Sequence, residues 1–175
     1  DHPIVKPGRE TPTGQAVANL VGLAQRDEAP IHLDVIGVGA SPYDIMRAAR
    51  FQIQGVNVSE RATSPDRTGR LQFANLRAQL WWQMRDLLDP EANTGIALPP
   101  DQKLLADLAA PKWFMRGAQV AVESRDDIIK RIGRSPDLGS AYILATMSTP
   151  KRSDLAPSIA DARISYDPYL ALAAA

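Results

Sequence analysis

Apolar residues recur along this chain with two different periods, and the switches between them mark out its elements. From Gln15 to Gln25 the apolar positions are Val17, Leu20, Val21 and Ala24, the spacing of one helix face. Pro30 ends that stretch. Ile31 to Ile36 carries Ile31, Leu33, Val35 and Ile36 between Pro30 and Gly37, which predicts a buried strand. The segment Gly37-Val38-Gly39-Ala40-Ser41-Pro42 predicts a turn. Ser41 as N-cap and Pro42 at the first helical position predict a helix to about Arg50. Ile53 to Val58 predicts a second strand. Strand, helix and strand in that order predict a βαβ unit, and so a mixed α/β fold.

The pattern changes after Val58. Residues 59–72 are polar, with Pro and Gly and with Arg61, Arg67 and Arg70, and predict a mobile loop. Phe73 to Leu88 is the strongest helical segment, with Leu76, Leu80, Trp81, Met84, Leu87 and Leu88 on one face. That face puts Trp81 in the core and leaves Trp82 partly exposed. Asp101 opens another helix, to about Ala110. Trp113 to Ser124 predicts a hairpin turning at Arg116-Gly117. Ser124 caps a short helix that Gly133 stops after Ile132. Ser135-Pro136-Asp137 starts a last helix, to about Met147. From Ser148 the prolines and terminal alanines predict an extended or poorly ordered tail. The expected organisation is one domain over 1–148 and a tail over 149–175, with no internal repeat.

Composition narrows the class without changing this outline. A chain of 175 residues, 45% hydrophobic and 23% charged, has the length and balance of one ordinary globular domain. No apolar run approaches the ~18–20 residues that span a bilayer. The opening Asp1-His2-Pro3 reads as the start of a processed or excised piece. The absence of cysteine excludes disulfides, a thiolate nucleophile and a Cys-type zinc site. Twenty basic residues balance twenty acidic ones, so any contact with nucleic acid must come from a local basic patch.

Asp34 is the first residue with chemical interest. It stands in an apolar strand, facing away from Leu33 and Val35, and a carboxylate there needs a compensating partner. Either a divalent cation at the strand end or the backbone amides of the Gly37–Gly39 turn would serve. Gly37 and Gly39 are not a dinucleotide fingerprint, because Pro42 stands where the third glycine belongs. No phosphate-cradling Walker sequence is present, so no nucleotide is expected in this domain.

Asp137 is the second. Ser-Pro-Asp is a good helix start, and the helix dipole favours a carboxylate there. The same position would present that carboxylate to a metal. Asp44 is explained by its own helix dipole, and Glu123, Asp126 and Asp127 by the Ser124 cap. His32 shares a strand face with Asp34. Lys130, Arg131 and Arg134 precede Asp137, and Lys112 and Arg116 lie on the hairpin. Cations beside paired carboxylates suit phosphodiester cleavage; a solvated basic helix face explains them equally.

Several segments in order carry a resemblance. They are His32-Leu33-Asp34-Val35-Ile36-Gly37-Val38-Gly39 with Tyr43-Asp44; Val56-Asn57-Val58; Phe73-Ala74-Asn75-Leu76-Arg77-Ala78-Gln79-Leu80-Trp81-Trp82; Leu104-Leu105-Ala106-Asp107-Leu108; and Glu123-Ser124-Arg125-Asp126-Asp127 leading to Gly133-Arg134-Ser135-Pro136-Asp137. From about residue 4 to 147 this set resembles the nuclease domain of phage terminase large subunits. The resemblance implies an α/β, RNase H-like mixed sheet flanked by helices. It implies three acids around two Mg²⁺ or Mn²⁺ ions, the second falling on Asp34 and the third on Asp137. The first lies on an opening strand upstream of Pro7-Gly8-Arg9-Glu10-Thr11, and no such strand is expected before residue 7. A further family aspartate, three positions beyond Asp137, is Ser140 here.

By the same resemblance the chain is a metal-dependent endonuclease that cuts concatemeric viral DNA during packaging in the host cytoplasm, transiently at the procapsid portal. Its implied partners are double-stranded DNA, the portal protein, the small terminase subunit and an N-terminal packaging ATPase. Lys130, Arg134, Arg67 and Arg70 are the candidate DNA contacts. Two other readings compete: a catalytically silent docking module for portal or small subunit, and another RNase H-like nuclease such as a junction resolvase.

Overall fold

The computed structural model describes residues 4–25 and 29–148, so the expected tail over 149–175 lies outside the described residues. Thr13 caps α1 (Gly14–Ala24) by accepting a hydrogen bond from Ala16 N at 3.1 Å. Strand β1 (Ile31–Asp34), helix α2 (Ala40–Ala48) and strand β2 (Ile53–Val56) form the expected βαβ unit. β1 and β2 pair in parallel, with Ile31 opposite Ile53 and Asp34 opposite Val56. Helix α2 differs in how it begins. The Gly37–Gly39 segment is itself a 3₁₀ turn that leads directly into α2. Ser41 therefore sits inside the first turn rather than capping it.

Three further differences follow, two of them involving partners distant in sequence. Phe73 is not helical; Gln72–Phe73 forms β3, parallel to β5 (Gln119–Val122). Helix α3 (Leu76–Leu87) starts later, capped by Asn75, which accepts from Ala78 N at 2.9 Å. Residues 59–71 are pinned rather than loose. Asp66 Oδ1 accepts from Arg70 N at 2.9 Å and Leu71 N at 2.8 Å, while buried Gln79 Oε1 accepts from Thr63 N at 2.7 Å.

Helix α4 (Gln102–Ala109) is capped by Asp101, whose carboxylate accepts from Lys103 N and Leu104 N. β4 (Trp113–Arg116) and β5 form the expected hairpin, with Gly117 at φ +60° in its turn. Ser124 caps α5 (Arg125–Ile132), and Gly133 ends it in the left-handed region. Helix α6 (Asp137–Ala145) closes the described chain.

The strands make two small sheets, the parallel pair β1-β2 and the mixed sheet β3-β5-β4. Helix α3 lies between two packed layers. Its Leu76, Leu80, Trp81 and Met84 pack with Val56, Ile143 and Leu144, while Ala78 and Trp82 pack with Phe73 and Val120. Burying each of these large apolar side chains stabilises the fold by ~2–3 kcal/mol. Cover on both sides explains why Trp82 is as buried as Trp81, at 8% and 7% exposure, rather than partly exposed. The result is a mixed α/β fold in which α6 packs on both β1 and α4.

Candidate functional site

Asp34 ends β1 and is exposed. Its Oδ1 accepts from Ile36 N at 3.0 Å, so the following turn satisfies half of the carboxylate. Two glycines build that turn. Gly37 has φ +68°, where a side chain is strained. Gly39 passes so close to the strand end that a Cβ there would fall 1.8 Å from the Asp34 carbonyl oxygen. The Gly-x-Gly pattern thus serves the placement of Asp34. Burial pushes down the imidazole pKa of His32, two residues back on the same face, and the hydrogen bond that His32 donates to the Leu144 carbonyl opposes that shift.

Asp137 begins α6 and is also exposed, at 75% for its side chain. Its Oδ1 accepts from the Ser135 hydroxyl and, at 3.4 Å, from Arg125 Nη2. Ser135 serves the carboxylate and does not cap the helix, as the Ser-Pro-Asp reading had expected. The capping acceptor is Asp107, 1% exposed on α4, whose Oδ2 takes Leu138 N at 3.0 Å. Arg134 Nη1 pairs with the other oxygen of Asp107. Gly139 permits this closeness, since a Cβ there would meet the Trp81 ring at 2.9 Å and the Asp107 backbone at 3.0 Å.

Arg77 links the two regions, and sequence reasoning gave it no role. Its Nε donates to Glu123 O at 3.2 Å, its guanidinium lies 5.8 Å from the Trp81 ring centroid, and its buried Nη2 has no partner among the described residues. Burial pushes its pKa down; the Asp34 carboxylate opposes that shift, and Arg125, the cation on Asp137, adds to it.

The basic candidates fall in two places. Lys130 is 78% exposed on α5 and meets Asp127 at 3.6 Å, and Arg134 is committed to Asp107. Arg67 pairs with Asp89 at 3.2 Å. Arg67 and Arg70 line a cleft of about 370 Å³ with Trp82 and Arg85. A second, apolar groove of about 420 Å³ runs between α1 and α2. Neither includes Asp34 or Asp137, so cavity shape does not locate the carboxylates.

Carboxylate oxygens are the donors that hard divalent cations take. Asp34 and Asp137 each keep Oδ2 without a partner among the described residues. Both acids fit a cation in chemical type. Among the described residues no group of three or more His, Asp or Glu side chains converges as a cage. No helix among them is long and apolar enough to cross a membrane.

No family model and no curated protein matches the sequence. Solved structures do match. The nuclease domain of the large terminase subunit gp2 of bacterial virus Sf6 aligns with 78% of this chain and 71% of its own, at TM-score 0.57 and 18% identity. A lysine-to-alanine mutant of that domain with manganese aligns over 78% and 72%, at the same TM-score and identity. The mutant with calcium, from bacteriophage Sf6, gives 78% and 71%, TM-score 0.57 and 19% identity. The chain therefore has the RNase H-like α/β fold of the nuclease domain of a phage large terminase subunit.

Proposed function

We propose that this chain is the nuclease domain of a large terminase, a metal-dependent endonuclease that cuts concatemeric viral DNA during packaging. The observation that carries the proposal is the packing of α6 on β1 within a fold shared with terminase nuclease domains. That packing sets the helix that begins with Asp137 against the strand that ends with Asp34. Asp34 and Asp137 are the proposed Mg²⁺ or Mn²⁺ ligands, and manganese and calcium accompany two of the similar structures. Such cations, when bound, supply an activated water and stabilise the leaving 3′ oxygen of a phosphodiester.

The chain's own residues bind and orient the duplex. Lys130 and Arg70 are the proposed phosphate contacts, joined by Arg67 and Arg134 where their ion pairs open. Contacts of this kind carry little sequence information, so binding is indifferent to sequence. In the whole protein this domain works with a packaging ATPase, a small terminase subunit and the portal, in the host cytoplasm.

Nicking of supercoiled plasmid in Mn²⁺, Mg²⁺ or EDTA tests the reading. The expected result is metal-dependent nicking that both Asp34→Asn and Asp137→Asn abolish. Nicking that survives both substitutions would overturn the assignment of the site. Preference for four-way junctions over linear duplex would redirect the reading to a resolvase.

A further inference from the structure

The hairpin strand β4 is exposed along its whole length, with Trp113 at 57%, Phe114 at 51% and Met115 at 49%. Three consecutive large apolar residues on an edge strand need a reason, because such edges invite association. Strand alternation separates them. Trp113 and Met115 share the face of Val120 and Val122, and Trp113 meets the Trp82 ring edge-on at 5.3 Å between centroids. Phe114 points the other way, away from α3. Lys112 and Arg116 share its face, since the pairing of Trp113 with Val122 continues to Lys112, whose carbonyl accepts from Glu123 N at 2.8 Å. The outer face of β4 thus reads cation, aromatic, cation, spread over ~13 Å.

The acid on this face, across the ladder from Lys112, is already satisfied and also accepts from Lys112 N at 3.2 Å. Glu123 takes Arg131 Nε at 2.9 Å and a second bond from Arg131 Nη2. Lys112 and Arg116 form no ion pair among the described residues. A second copy of this chain is a poor occupant. Antiparallel pairing centred on Phe114 would set Lys112 opposite the other copy's Arg116, and like charges directly opposite destabilise a ladder. An added peptide strand would draw its affinity from the backbone edge and set only every second side chain on the outer face. An anionic ligand with flat faces uses all three side chains.

We propose that the outer face of β4 binds an unpaired nucleic-acid strand, with a base stacked on Phe114 and the flanking phosphates on Lys112 and Arg116. The track continues toward the proposed nuclease site. Arg131, beside Lys112 through Glu123, lies six residues along α5 from Arg125, ~9 Å in helix rise, and Arg125 bonds Asp137 at 3.4 Å. The inference rests on the nuclease reading for the source of that strand, a nicked or frayed product end.

Fluorescence anisotropy with a labelled oligothymidylate in EDTA tests it without any cleavage. Phe114→Ala is expected to weaken binding by about fivefold to a hundredfold, and Phe114→Trp to restore it. Lys112→Ala and Arg116→Ala are each expected to reduce the salt slope by about 0.7. Equal binding by wild type and Phe114→Ala, with the melting temperature unchanged, would overturn the inference, as would no binding by the wild type. Preference for an acidic extended peptide over the oligonucleotide, or concentration-dependent dimerisation lost in Phe114→Ala, would overturn it in favour of the other occupants. Plasmid nicking is read separately. Phe114-dependent binding without nicking defeats the nuclease reading alone, and nicking with Phe114-indifferent binding defeats this inference alone.

Discussion

Asp34 is held by its own segment, through Ile36 N and two glycines within five residues, whereas the helix of Asp137 is held from α4 by a carboxylate 31 positions upstream of Leu138. Both carboxylates reach the surface with one oxygen uncommitted. The supports beneath them differ in kind. Under Asp34 lies backbone geometry, which tolerates almost no side chain. Under Asp137 lies a buried acid with two obligations, to Arg134 and to the helix amide. Local geometry fails locally when disturbed. A buried carboxylate that ties two helices together is expected to fail for the whole fold.

The largest effect therefore belongs to Asp107. Asp107→Ala removes the acceptor of Leu138 N and strands Arg134, at an expected cost of about 3 kcal/mol, near the lower end for a broken buried pair because Arg134 is half-exposed. Urea denaturation measures it. Arg134→Ala is expected to cost less, since Asp107 keeps its bond from Leu138 N. A loss below ~1 kcal/mol in Asp107→Ala would mean that α6 is not held from α4.

Next in size is the turn. Gly39→Ala forces a Cβ onto the Asp34 carbonyl and is expected to cost ~2 kcal/mol by overpacking. Gly37→Ala meets nothing in space and costs ~1 kcal/mol through its positive φ alone. The order of the two is the sharp part, because propensity alone would make them equal. Thermal melting of both variants decides it. Plasmid nicking should fall in Gly39→Ala more than its stability loss explains, because Asp34 itself moves.

The same contrast explains how far the sequence could be read. The βαβ unit, the hairpin and the Ser124 and Gly133 boundaries rest on short-range signals, and their elements formed as expected. The Gly-x-Gly segment was legible as a turn, though not that Gly39 is required by contact with Asp34. Phe73 was misread as helical because its strand pairing is to Val120, 47 positions away in the sequence. The loop before it looked mobile because its polar composition hides both the local turn that Asp66 organises and the hold of Gln79, which comes from the next helix. Trp82 looked half-exposed because one apolar stripe predicts one covered face, and α3 has two. Asp107 stood within a quoted segment but gained no role of its own, since a buried ion-pair partner looks like any helix acid until the other helix is in place.

Acid sharpens the comparison on the Asp137 side. Arg131 holds the Glu123 carboxyl down to about 2, chiefly through their hydrogen bonds. A depressed carboxylate contributes stability that is present above its unfolded value near 4.5 and lost as pH falls through its folded value near 2. The link between the hairpin and α5 should therefore weaken over that window, seen as accelerated amide exchange in α5 and β4. Glu123→Gln should flatten the dependence, while exchange around the Asp34 turn follows neither change.

The smallest expected effect tests whether the ion pair on Asp137 is structural at all. Arg125 and Asp137 are 59% and 75% exposed, and exposed pairs contribute ~0–1 kcal/mol. Arg125→Ala should leave the urea midpoint nearly where it was, since α6 begins where Asp107 fixes it. The Ser135 hydroxyl remains on the carboxylate, so Asp137 keeps one of its two protein partners. Removing the competing guanidinium should then raise the affinity of that carboxylate for Mn²⁺, read by the loss of Mn²⁺ electron spin resonance signal on titration. A drop of several kcal/mol in stability instead would place the anchor of α6 at Arg125 and take it away from α4.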